Sequence, residues 1–112
     1  MSAPLIRSGY DVSILVRVRV NGVNEDLSTA TIKASLVNAD KSAELITDTA
    51  QSSSATGASW AAGLIAVEFT AAQTASLTAA AANLEIAITT SGGKRVPCES
   101  VPVRVEKGWT IT

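Results

Sequence analysis

The 112-residue chain has no histidine, a single cysteine, and aromatic side chains at only 4% of positions. Without histidine it lacks the usual general base, a common zinc ligand and the side chain that titrates near neutral pH. The lone Cys98 excludes an internal disulfide, and with it a small secreted fold that depends on staples. Charged residues make up 17%, below the ~25% of ordinary domains, and the net charge is −1. A chain with no excess of cations does not bind a polyanion by counterion release. The longest apolar stretch, Ala61 to Val67, falls far short of the ~20 residues of a membrane helix. Met1 to Arg7 has neither the charged start nor the apolar block of a signal peptide. These absences predict a soluble protein made in the cytoplasm.

What is present is alternation. Val12, Ile14, Val16, Val18 and Val20 fall on one face at period two, with Ser13, Arg17 and Arg19 on the other. Leu15 is the one exception. That pattern predicts a half-buried strand over Asp11–Val20, closed by a positive-φ turn at Asn21-Gly22. Val23 to Ser28 reads as a polar loop. A second strand is expected over Ala30–Val37, with Ile32, Ala34 and Leu36 inward, followed by a polar turn at Asn38–Lys41. Glu44–Ala50 is a weaker strand, and Ser52–Gly57 has the composition of a mobile loop. Trp60–Phe69 contributes another strand, with Ile65, Val67 and Phe69 on one face.

Thr70-Ala71-Ala72-Gln73 has the spacing of a helix capping box. The alanines that follow favour a helix, but Leu77 is the only large apolar residue to bury. One or two turns near residues 70–78 is therefore the expectation. Asn83–Thr90 alternates again, Ser91-Gly92-Gly93 turns the chain into Lys94–Cys98, and Val101, Val103 and Val105 mark the last strand. Pro97 and Pro102 cannot donate to a ladder and belong at edges or bulges. About seven short strands at spacings of 8–12 residues predict an all-β fold. The expected form is a single antiparallel, Ig-like β-sandwich domain over residues 1–112, with short extended arms at both ends.

No catalytic constellation is legible. Cys98 has no histidine to activate it and reads as a small buried side chain. Glu25 and Asp26 are adjacent, so in an extended segment they point apart. Asp11, Asp40 and Asp48 show no ligand spacing, which leaves no metal or cofactor site. Gly92-Gly93 lacks the following helix of a phosphate loop. Arg17, Arg19, Lys94 and Arg95 read as solvated faces, and few aromatics are available to stack bases. The expectation is a non-enzymatic protein that contacts neither nucleic acid nor membrane. Partner-binding candidates lie in the two arms: Leu5, Ile6 and Arg7 at one end, Trp109 and Ile111 at the other. A terminal tryptophan serves as a lid on the core or as an anchor in a partner's pocket.

Three stretches carry a resemblance. They are Gly9-Tyr10-Asp11 leading to Asn21-Gly22 and Asn24–Ser28, the run Gly63–Leu77, and the Ser91-Gly92-Gly93 hairpin before the valine strand. Together they resemble the small β-sandwich module of tailed-bacteriophage virion proteins, including the N-terminal module of baseplate upper proteins. The chain departs from that pattern at Ala79–Asn83, where the family tends to have Gly or Pro and an aromatic. The resemblance implies a structural role in a virion. A chain running from Met1 to Thr112 with nothing appended fits a capsid decoration or cement protein better than a domain prefixed to a fibre. Its partners would be the major capsid protein, or tail proteins of the same phage, with contacts between its own copies. The alternatives are a small tail, baseplate or head–tail adaptor, and a glycan-binding host-recognition module using the Ser52–Ala58 loop.

Overall fold

A computed structural model describes residues 4–78, 80–96, 98 and 100–107. Among them the chain forms strands β1 (Leu5–Arg7), β2 (Val12–Arg17), β3 (Arg19–Val20), β4 (Val23–Asn24), β5 (Thr31–Asn38) and β6 (Glu44–Ala50). A 3-10 turn at Trp60–Ala62 leads into β7 (Leu64–Phe69), a single helical turn α1 (Ala71–Thr74), β8 (Ala80–Thr89), β9 (Arg95–Val96) and β10 (Val101–Glu106). The fold is all-β. One sheet has the order β1-β10-β8-β5-β6 with β9 also on β8, while β2 pairs with β7 and β3 with β4.

Register explains why these residues make these strands. Ile32, Ala34 and Leu36 of β5 stand opposite Ile88, Ile86 and Leu84 of β8, so three apolar pairs share one face. Val103 and Val105 lie opposite the small Ala82 and Ala80. In the other pair Ile14 faces Val67 and Val16 faces Ile65. The buried side chains of the large sheet and of the β2–β7 pair form one core, to which Ile6, Leu27, Phe69 and Leu77 also belong.

Several expectations need correction. The sheet is mixed and not purely antiparallel, because β1 runs parallel to β10. Residues Leu5–Arg7, expected as part of a free arm, are therefore a strand. Among the described residues ten strands replace the expected seven or so, three of them with only two residues. The long strand expected over Asp11–Val20 divides at Val18, whose N–H donates to the Gly63 carbonyl (2.7 Å) while its own carbonyl accepts from Glu25 (3.1 Å). Val23-Asn24, expected in a loop, returns as β4 because Asn21 (φ 53°) and Gly22 (φ 80°) make a two-residue turn that matches strand twist. Leu27, in the same supposed loop, is fully buried.

Other expectations hold. The inward faces of β2, β5, β7, β8 and β10 are as the alternation requires. Thr70 caps α1 through the reciprocal bonds of a capping box with Gln73. Pro102 sits on β10 with its ring nitrogen turned away from β8, as the outward bond from Arg104 N–H to Pro4 two residues later shows (2.9 Å). Pro97, Trp109 and Ile111 lie outside the described residues.

Thr74 is a fully buried polar side chain. Its Oγ1 accepts from the Gly9 N–H (3.0 Å) and donates to the Tyr10 carbonyl (2.8 Å), fastening the β1–β2 connection onto α1. Valine at this position keeps the shape and removes both bonds, at a cost of about 1 kcal/mol. Thr74→Val should thus lower Tm by at least about 4 °C in thermal denaturation. An unchanged Tm would contradict the role given to the hydroxyl.

Candidate docking site

The two-stranded β2–β7 layer has two edges, and the sequence treats them differently. On β7, Leu64 exchanges both backbone bonds with Ser59 (2.8 and 2.9 Å). Further along, the Glu68 N–H donates to Gln51 Oε1 (2.8 Å) and the Glu68 carbonyl accepts from Gln51 Nε2 (3.3 Å). A side-chain amide thus stands in for a neighbouring strand. These outward bonds set the phase of the ladder: Ser13 and Arg17, the register partners of Glu68 and Leu64, turn their backbone groups the other way. Leu15, midway between them, does the same.

The outward N–H and C=O groups of Ser13, Leu15 and Arg17 pair with no strand or side chain among the described residues. Arg19 continues the row. The Asn21-Gly22 turn makes Val20–Val23 the hydrogen-bonded pair of its hairpin, so the Arg19 groups also face outward. The result is an open backbone edge along β2 and β3.

Beside this edge lies a cleft of about 670 Å³, walled by Arg17, Val18 and Arg19 on one side and Ser100, Val101 and Pro102 on the other. Val101 and Cys98 are half-buried and pack against the core, so the cleft has an apolar floor. Its described charges are both positive. Arg17 Nη1 donates to the Ala62 carbonyl (3.3 Å) and Arg19 Nε to Asn24 Oδ1 (3.0 Å). Neither guanidinium meets a carboxylate among the described residues.

Ser100 is held from behind. Its hydroxyl lies 2.7 and 2.8 Å from the two Glu85 carboxylate oxygens, and Lys41 Nζ is 2.9 Å from Ser100 Oγ and 3.2 Å from Glu85. A serine beside a lysine is a nucleophile pattern. Here the serine proton is committed to a carboxylate and the lysine side chain is more than half exposed, so the group serves to fasten Ser100 to β8. Asp26 Oδ1 accepts from the hydroxyl and amide of Ser28, and those two bonds hold its carboxyl below the usual range. Asp40 is lowered in the same way by Ser42. Both are local turn contacts. Among the described residues no three acidic or sulfur side chains gather to hold a metal ion, and no helix is long and apolar enough to cross a membrane.

Of the candidates from the sequence, Leu5 and Arg7 point outward from β1, whereas Ile6 is fully buried. Trp109 and Ile111 fall outside the described residues. Trp60 is buried. The edge residues Arg17 and Arg19 read in the sequence as a solvated face, because nothing local says which strand edge stays unpaired. The Lys41–Glu85–Ser100 group, drawn from three distant segments, left no local signal at all. The chain matches no protein-family model and no curated protein.

Proposed function

We propose that the chain is a non-enzymatic structural subunit of a tailed-phage virion, a decoration protein that docks on the assembled head. The observation that supports docking is the open β2–β3 edge beside a cleft, on a fold whose neighbouring β7 edge is closed. The sequence resemblance supports the virion as the assembly. Low surface charge and abundant Ala, Ser and Thr suit contacts spread over small patches. A subunit that binds the assembled shell and not its free components stabilises the shell by mass action, by about 2.7 kcal/mol per site at a hundredfold excess over Kd.

Quantitative mass spectrometry of purified particles, against the major capsid protein, tests the placement. On the order of hundreds of copies per particle is expected for a shell of many equivalent sites. Small multiples of three or six would transfer the protein to the tail or baseplate. Absence from the particle would remove the virion reading.

A further inference from the structure

We infer that the β2–β3 edge is a strand-acceptor site, which takes an extended segment of a partner protein carrying an acidic side chain on its outward face. The inference deepens the docking reading above and rests on it.

Backbone groups come first. Ser13, Leu15, Arg17 and Arg19 present outward N–H and C=O groups at every second residue, about 6.8 Å apart, which is the spacing a neighbouring strand engages. The opposite wall does not compete for that strand, since Pro102 offers no N–H there. An incoming strand therefore meets a regular row of backbone groups on one wall and a wall interrupted at Pro102 on the other.

Side chains then fix its chemistry. Alternate residues of the incoming strand face inward over Val101 and Cys98, whose half-buried surfaces favour a small or β-branched apolar side chain. The intervening residues face outward, level with Arg17 and Arg19. Opposite charges across a strand pair attract and like charges repel, so an acidic residue is favoured there and a lysine rejected. The same rule works against a second copy docking in parallel, which would set arginine against arginine.

The test uses the intact, isotope-labelled chain and two capped peptides, Thr-Val-Glu-Val-Thr and Thr-Val-Lys-Val-Thr. The glutamate peptide is expected to shift the amide resonances of Ser13, Leu15, Arg17 and Arg19 and to slow their hydrogen exchange. The lysine peptide should bind about tenfold more weakly. An Arg17→Glu, Arg19→Glu double variant, both side chains being exposed, should reverse that preference while keeping the wild-type Tm. Equal binding of the two peptides overturns the proposal. So do shifts centred on β6, no shift at about 1 mM peptide, or a dimer of the chain formed through this edge. Particles that still take up the double variant at full copy number would sink the acceptor site and leave the virion reading standing. Peptide binding by a chain absent from particles would do the reverse.

Discussion

Val16→Asp should yield no folded protein at neutral pH. Val16 is 9% exposed, stands opposite Ile65 in the β2–β7 ladder and packs into the shared core. A carboxylate there has no partner, and burying it costs several kcal/mol or forces the chain open. Set against a domain stability of about 5–15 kcal/mol, that loss removes most or all of the folded state. Far-UV circular dichroism with a thermal melt should show no cooperative transition. Ser13→Lys, on the exposed face of the same strand and opposite Glu68, should melt within about 0.5 kcal/mol of wild type. A folded Val16→Asp protein with a normal melt would refute the facing of β2.

Gly63→Ala is the second large loss. Gly63 has φ 78°, and a Cβ added to it would lie 2.7 Å from the Val18 carbonyl oxygen and 2.8 Å from that of Glu25. Both neighbours are backbone, so neither yields by turning a side chain. These atoms belong to the junction where the chain passes from β2 to β3 and where β4 meets the start of β7. The left-handed conformation costs a residue with a Cβ about 1–2 kcal/mol, and displacing two carbonyls adds to it. A loss of about 3 kcal/mol or more is expected, lowering Tm by about 12 °C or more. Gly92→Ala supplies the comparison. Nothing lies within 4 Å of a Cβ there, so its Tm should stay near wild type or rise slightly. Equal behaviour of the two variants would contradict the packing described at Gly63.

How far the fold was legible depended on whether its cause was local. Alternation in β2, β5, β8 and β10 is a local record of one buried face, and the inward residues follow it. The capping box at Thr70 and the turn at Asn21-Gly22 are local too. Leu15 broke the pattern and stays 57% exposed on the outer face, where Gly57 of a distant loop approaches it. A Cβ on Gly57 would come within 3.3 Å of the Leu15 side chain, and Ala66, opposite Leu15, is fully buried.

Pairing partners were the least legible. Leu5-Ile6-Arg7 is too short to show a period, so nothing in it announced a parallel strand beside β10. Leu27 sits among polar residues and enters the core because its N–H bonds to the Trp60 carbonyl (2.8 Å), a residue far along the chain. The open β2–β3 edge shares this character. Arg17 and Arg19 are plain in the sequence, but the open backbone beside them follows from which strands pair elsewhere.

We propose a docking subunit selective for an assembled shell. Co-sedimentation of the purified chain with intact shells, and separately with dissociated capsid subunits, tests that selectivity most directly. Saturable binding to the shells and none to the free subunits is the predicted result. Equal binding to both, or to neither, would contradict the account.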